Sequence, residues 1–491
     1  MATYEPVIGL EIHAELNTKT KMFCGSMNDP DETHPNVTIC PICMGHPGTL
    51  PVINQEAVKK VIQVGLALQG DIQEFAQFDR KNYFYPDLPK GYQISQYQHP
   101  FVFGGYLDIL PNRRIRIERV HLEEDTGRLQ HDNEGATLVD FNRAGVPLME
   151  LVTKPDLRTG EEVRLFGEKL QQILQYVGAS HADMEKGEMR VEVNISLREA
   201  GSEKFGTKVE IKNINSFKFA EKAVQYEILR QSNILDEGGT IKQETRGWNE
   251  KKNETFSQRS KESSHDYRYF PEPDLPPLEI KKEFVDELRS ALPELPDAKR
   301  VRFVSEYGLE ESFVLHLIRD KAMASYFEQM VSELGEWESA SGEQLDEKQK
   351  KEVIRLAANY FTSDFQKLLN ETSSAIGDTL VTPENFAELV LLIYRGDISS
   401  RVAKDVLEEM FRTGNDPSVI IREKGLEQVS DEDAIASAIA KVIVAYPEQV
   451  RDLQNGKETI LQFLVGQVMK EMSGKANPQV VAKLLREKLY S

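Results

Sequence analysis

The sequence predicts an α+β fold up to about residue 292, followed by an all-helical domain and a small helical tail. Three observations lead there. Short alternating strands and glycine or proline turns fill the first part, the segment Pro293-Glu-Leu-Pro-Asp297 ends that texture, and periodic helices rich in glutamate and lysine follow it. The boundaries read this way are 1–292, 293–411 and 412–491. A chain of 491 residues exceeds what one hydrophobic core serves, so several domains are expected.

The first strand is the clearest. Between Val7 and Leu16, residues Ile8, Leu10, Ile12, Ala14 and Leu16 point one way, while Gly9, Glu11, His13 and Glu15 share the other face. Arg190 to Arg198 repeats the pattern, with Arg190, Glu192, Asn194 and Ser196 opposite Val191, Val193, Ile195 and Leu197. Lys208-Val-Glu-Ile-Lys212 does so in miniature. Ile115 and Ile117 are in one phase and Val120 and Leu122 in the other, so an extra residue near Glu118 or Arg119 shifts the faces as a bulge does. His121 and Glu123 then share a face.

A helix is predicted over 160–177, because Thr159 and Glu162 suit a capping box and Gly178 ends an apolar stripe. A second runs from Phe217 to about Leu235. The proline-rich stretch 270–278 reads as a rigid edge or exit segment. Helices are predicted near 297–307, 310–334, 346–371, 385–394 and 399–411, then Asp431–Ala445, Pro447–Asp452, Gly456–Ser473 and Pro478–Leu489. From Gly456 onward basic residues outnumber acids.

Composition narrows the function. With 40% hydrophobic and 29% charged residues the chain folds rather than staying disordered. A net charge of -20 excludes a general nucleic-acid or anionic-membrane binder and leaves room for a local basic surface on a shaped RNA site. No apolar run approaches the roughly 20 residues of a membrane span, and the start lacks signal-peptide character, so a cytoplasmic protein is expected. No phosphate-binding glycine loop, dinucleotide motif or G-x-S-x-G elbow occurs, so any ATP must be held by strands and a metal. No Ser-Ser-Lys amidase constellation stands out either.

Three constellations carry chemistry. Glu11, His13, Glu123, Glu124, Asp125, Glu192 and Glu210 are carboxylates and an imidazole on strand faces, suited either to a divalent ion that bridges nucleotide phosphates or to a solvated sheet surface. Arg190, Lys208 and Lys212 are the basic partners for phosphate oxygens. Cys24, Cys40 and Cys43 contain a Cys-x-x-Cys pair, and the fourth ligand a zinc knuckle needs must come from His34, His46 or water; buried free thiols are the alternative. In 78–96, Tyr83, Tyr85 and Tyr92 with Arg80, Lys81 and Lys90 suit either stacking on a nucleotide or RNA end, or a packed loop.

At these residues the chain resembles the B-subunit family of the aspartyl/glutamyl-tRNA(Asn/Gln) amidotransferases. The resembling words are Val7-Ile-Gly-Leu-Glu-Ile-His-Ala-Glu-Leu16, Phe78-Asp-Arg-Lys-Asn-Tyr-Phe-Tyr-Pro-Asp87, Tyr92-Gln-Ile-Ser-Gln96 and His121-Leu-Glu-Glu-Asp125. They continue through 139–148, 205–213, 266–274 and Phe463-Leu-Val-Gly-Gln467, covering essentially the whole chain. The resemblance implies a glutamine-synthetase-like antiparallel-sheet cradle, then a helical domain and a tail that contacts tRNA. It implies ATP- and Mg2+-dependent phosphorylation of the side-chain carboxylate of Glu-tRNA(Gln) or Asp-tRNA(Asn). Ammonia would be channelled from a separate glutaminase (amidase) protein, the A member of a heterotrimer that a small C member completes. It places the metal and catalytic cluster on Glu11, His13, Glu123, Glu124 and Glu210. Many relatives carry Cys-x-Cys where this chain has Cys24-Gly-Ser26, which weakens the implied structural zinc without touching the ATP assignment. A non-catalytic RNA-binding or assembly protein is the alternative class.

Overall fold

The computed structural model describes residues 4–131, 135–260, 266–341, 345–426, 432–454, 457–472, 476 and 478–490. It divides into two compact units, Met1–Pro296 and Asp297–Ser491.

The first unit is organised by the strand Tyr4–Glu15. Its period of two places Ile8, Leu10, Ile12 and Ala14 at no more than 1% exposure, while Glu11, His13 and Glu15 remain partly accessible on the other side. This strand sits inside a ten-stranded sheet in the order Glu254–Ser260, Glu244–Asn249, Val209–Ile214, Met189–Glu199, Tyr4–Glu15, Pro147–Thr153, Arg113–Glu124, Val102–Phe103, Asp71–Ile72, with Tyr106–Leu110 also paired to Arg113–Glu124. The apolar face packs into one core with the helices Gln55–Ala67, Gly160–Tyr176 and Phe217–Asp236. Each large aliphatic side chain buried there contributes about 1.5–3 kcal/mol. The helices leave the polar face uncovered by that core, and there the ionisable residues collect.

The pairing is antiparallel except between Val209–Ile214 and Glu244–Asn249, which run parallel, so the antiparallel sheet implied by resemblance is in fact mixed. The cause is the intervening helix Phe217–Asp236, capped by Ser216, which returns the chain to the same end of the sheet. The expected bulge is present. Arg119 pairs with Val152 and Ile117 with Thr153, so Glu118 is the extra residue that shifts the strand's phase.

Thr159 caps its helix by accepting from Glu162 N, but Glu162 does not close the box. Its carboxylate takes Arg158 N and Arg113 instead, tying the helix start to the sheet. Gly178, at φ +70°, ends the helix. The helix Gln55–Ala67 was not expected. Its signal is Asn54, whose side chain accepts from Glu56 and Ala57 N, followed by Val58, Val61 and Ile62; its nearly all-round burial blurs the stripe. The stretch 270–278 is extended at its two ends, where Phe270–Pro271 pairs with Asp79–Asn82 at a sheet edge and Leu278–Glu279 pairs with Phe75–Ala76.

The second unit is helical throughout its described residues. The stretch 310–334 splits into Glu311–Leu317 and Lys321–Ser341, and 346–371 is Glu347–Tyr360, a π turn at Phe361–Phe365 and Gln366–Thr372. The helices Pro383–Arg395 and Ser400–Thr413 complete a core that also buries Ile420 and Ile421 of Pro417–Lys424. A separate core starts at Ile435 and joins the helices Glu432–Ala445, Pro447–Gln454, Thr459–Glu471 and Pro478–Tyr490. Asp431, Gly456 and Ser473, expected as helix ends, lie outside the described residues.

Close approach of two helices gives a test. A Cβ at Gly160 would lie 2.4 Å from the backbone oxygen of Glu221, which cannot rotate away. Gly160→Ala is expected to push the helices apart and to lower stability by about 1–3 kcal/mol, measured by urea unfolding.

Candidate active site

Strand register builds the site. Arg190, His13, Glu150 and His121 lie in one row across neighbouring strands, and Glu192 and Glu11 lie in the next. Rows two residues apart on a strand share a face, so the two groups of acids stand side by side.

In the first group, His13 Nε2 is 3.2 Å from Glu150 and 3.7 Å from Glu123. His121, buried beneath, approaches the same carboxylates at 3.5 and 3.7 Å. Donor atoms of His13, Glu123 and Glu150 all fall within 4.8 Å of one another. Ser95 Oγ donates to Glu123 over 2.9 Å and fixes its orientation. Burial disfavours a charged His13, yet the Glu150 hydrogen bond and the charges of Glu150, Glu123 and Glu192 outweigh it and hold its pKa up to about 9. Burial also opposes ionised Glu150 and Glu123. The histidines and Lys81 win, keeping Glu150 well below, and Glu123 below, the usual carboxylate range. Lys81 stands over this group, 5.2 Å from the Tyr267 ring, its ammonium favoured against burial by Glu123 and Glu150.

The second group is Glu11, Glu192 and Glu210, again with donor oxygens within 4.8 Å. Asn194 Nδ2 donates to Glu11 over 2.9 Å, and Lys212 Nζ lies 2.7 Å from Glu192 and 3.9 Å from Glu210. Burial acts against the Lys212 ammonium, but Glu192, Glu210 and Glu11 raise its pKa. At the end of the same face Arg190 meets Asp125 at 2.6 Å, with Arg143 at 3.6 Å. Burial and the neighbouring Asp125 push Glu15 up to about 8, so near neutrality the pair holds one proton, on Glu15.

Comparison with known proteins adds what geometry alone cannot. The family model described as GatB/GatE catalytic domain matches residues 6–286, and the GatB domain model matches 343–489. The chain is 50% identical over 489 residues to the B subunit of the aspartyl/glutamyl-tRNA(Asn/Gln) amidotransferase of Persephonella marina, covering 99% of both. The proteins of the same name from Carboxydothermus hydrogenoformans and Thermodesulfovibrio yellowstonii are 48% and 46% identical, each covering at least 98% of both chains. The chain belongs to the amidotransferase B-subunit family.

For this member of the B-subunit family, the residues expected to form one centre divide into three places. Glu11 and Glu210 join Glu192, whereas His13 and Glu123 join Glu150. Glu124 turns to the opposite face, because consecutive strand residues point opposite ways. There it accepts from Lys90 Nζ and from Ile94 N at 2.9 Å, beside a cavity it shares with Cys24, Cys43 and Tyr92. The four expected metal ligands Glu11, His13, Glu124 and Glu210 therefore do not converge on one point. Lys208 is exposed just ahead of its strand and touches neither group. Glu150 escaped the sequence reading because Pro147–Thr153 is apolar on both sides and has no polar phase; an acid alone in such a strand is the signal.

The cysteines do converge. Cys24, Cys40 and Cys43 place their sulfurs within 4.8 Å, with Cys40 N 3.1 Å and Lys21 Nζ 3.9 Å from Cys43 Sγ. Hydrogen bonding from Cys24 is the main cause that lowers the Cys43 thiol to about 5, against burial and with help from Cys40 N and Lys21. His34 faces solvent beside Glu32, whereas the exposed His46 lines the same cavity as Cys24 and Cys43. Ser26 hydrogen-bonds Cys24.

The two faces of the strand ending at Glu124 are separable by experiment. Glu123→Gln and Glu150→Gln are each expected to abolish one class of Mn2+ site on the full chain, read by electron paramagnetic resonance. Glu124→Gln is expected to keep Mn2+ binding and to lose about 1–3 kcal/mol of stability, since it leaves the Lys90 ammonium without its counter-charge.

Proposed function

We propose that this chain is the kinase-like B subunit of an ATP-dependent tRNA amidotransferase, acting on Glu-tRNA(Gln) or Asp-tRNA(Asn). The observation that supports it best is the pair of adjacent carboxylate groups on one sheet face, each with a basic residue at its edge, Lys81 for one and Lys212 for the other.

A carboxylate is a poor acyl donor because its leaving group would be oxide. Transfer of the γ-phosphoryl group of ATP to the side-chain carboxylate gives an acyl phosphate and ADP, and ammonia then displaces phosphate to form the amide. The residues present fit Mg2+. They are hard oxygen donors with one imidazole, grouped in threes: Glu11, Glu192 and Glu210 set three carboxylates beside the Lys212 ammonium, and His13, beside Glu123 and Glu150, would ligate only after giving up its proton. Glu11, Glu192 and Glu210, and separately His13, Glu123 and Glu150, would hold such ions, which supply charge neutralisation to the phosphates when bound. Lys81 and Lys212 add positive charge at the two edges, stabilising negative charge on the transferred group. Arg190 keeps Asp125 ionised at the end of the face and orients there a guanidinium suited to a phosphate oxygen. The tyrosines Tyr83, Tyr267 and Tyr269 gather around Lys81.

In this reading the ammonia comes from a separate glutaminase (amidase) protein, a small third protein completes the heterotrimer, and the assembly works in the cytoplasm. No helix among the described residues is long and apolar enough to cross a membrane. The segment 412–491 contacts tRNA, its basic residues beyond Gly456 meeting phosphates. In the assembled complex, Glu150→Gln and Glu210→Gln are expected to cut tRNA-dependent ATP cleavage and amidation at least about 100-fold while glutaminase activity persists. Full amidation by both variants at saturating ATP and Mg2+ would sink the proposal and favour a purely structural or RNA-binding role.

Zinc is a separate part of the proposal. Three thiolates around a dication carry a net negative charge that the buried Lys21 ammonium would offset, so Cys24, Cys40 and Cys43 would hold a structural zinc, with His46 of the same cavity or a water as the fourth ligand. Protein purified without added zinc or chelator is expected to hold about one zinc per chain, and Cys40→Ser/Cys43→Ser to lose both metal and heat stability. Less than about 0.1 zinc per chain, with stability equal to the variant's, would leave the cysteines as packed thiols.

A further inference from the structure

The strand Glu244–Asn249, parallel to Val209–Ile214, borders the Glu11, Glu192 and Glu210 group. Thr245 lies opposite Glu210 in the parallel register, is buried, and donates from Oγ1 to Glu210 Oε2 over 2.9 Å. Its neighbours Glu244 and Arg246 point to the other side of the strand. There Arg246 reaches Glu227, a fully buried carboxylate of the helix Phe217–Asp236, at 3.0 Å. Glu227 also takes Arg230 over 2.8 Å, Gln231 over 3.0 Å and the Thr255 hydroxyl. Charge-assisted bonds of this kind hold geometry more firmly than neutral ones. The strand is thus fixed on one face and presents a single hydroxyl to a single carboxylate on the other.

We propose that Thr245 is a positioning residue for Glu210: its hydroxyl holds one carboxylate oxygen so that the group stays turned toward Glu11 and Glu192. The inference rests on reading that group as a divalent-cation site. Lys212 is why the hydroxyl matters. Its Nζ is 3.9 Å from Glu210 Oε1 and already 2.7 Å from Glu192. A Glu210 carboxylate released from Thr245 swings onto this ammonium, and the group closes into an internal ion pair that an incoming cation must break. The three acids then show symmetrical support: Asn194 holds Glu11, Lys212 holds Glu192 and Thr245 holds Glu210. Partners that orient metal-binding groups typically change metal affinity by about 10–100-fold when removed.

The test compares wild type, Thr245→Val, Thr245→Ser and Glu210→Gln as full chains and in the assembled complex. Three quantities are read: Mn2+ binding by electron paramagnetic resonance, thermal melting without metal, and the Mg2+ concentration giving half-maximal tRNA-dependent ATP cleavage. Glu210→Gln is expected to remove one class of Mn2+ site. Thr245→Val should weaken that class about tenfold, leave the class formed with His13 intact, and raise the half-maximal Mg2+ concentration to match, without lowering turnover at saturating Mg2+. Thr245→Ser, which keeps the hydroxyl, should restore wild-type metal binding. Loss of the class in Glu210→Gln with wild-type binding in Thr245→Val overturns the positioning role while leaving the cation site standing. Equal weakening in the Val and Ser variants assigns Thr245 a packing role and also overturns it. Wild-type Mn2+ binding in Glu210→Gln removes the cation site itself, and the inference falls with it.

Discussion

Mutual repulsion among carboxylates confined to one face of a sheet is the constraint on which this structure depends. Glu11, Glu123, Glu150, Glu192 and Glu210 stand on adjoining strands at register positions that bring their side chains into contact range. Like charges this close in a partly desolvated setting are tolerated only with interleaved positive charge. His13, Lys81 and Lys212 supply it, and Asp125 is likewise offset by Arg190 and Arg143. At Glu15 beside Asp125, where burial adds to the repulsion, the solution is a retained proton. Glu11, Glu192 and Glu210 gather with the Lys212 ammonium beside Glu192 and Glu210.

The opposite face of the same sheet makes that arrangement affordable. Ile8, Leu10, Ile12 and their neighbours on flanking strands bury against three helices, and this apolar packing fixes the strand spacing that the acids cannot fix for themselves. At the sheet's far edge a buried charge network joins the apolar contact made by Trp248. Glu227, with Arg230, Arg246 and Thr255 around it, anchors the only parallel strand pair among the described residues of the large sheet. Removing one partner from such a network costs far more than the network contributes as a whole, because a buried charge is left uncompensated.

The cysteine cluster and the Lys90–Glu124 pair lie behind the acidic face, sharing a cavity. One strand thus serves two environments within two residues, Glu123 entering the His13 group and Glu124 the cavity on the other side.

Much of this was written in local sequence. The period of two in Val7–Leu16 and Arg190–Arg198 marked the buried apolar side chains, the phase change after Ile117 placed a bulge near Glu118 or Arg119, and Thr159 and Gly178 marked helix ends, because strand alternation, capping and left-handed turns each depend on a few adjacent residues. The same period already separated Glu123 from Glu124. What sequence left open was partnership. Glu150 has no polar neighbours along its own strand, and it becomes part of the site only because register sets it between His13 and His121. The division of Glu11 and His13 between two groups, the parallel placement of Thr245 beside Glu210, and the approach of Lys81 to acids some 40 to 70 residues away are likewise set by which strands pair. Pairing is decided by the packing of the whole apolar face and by the crossover helix, and no short stretch of the chain contains that information.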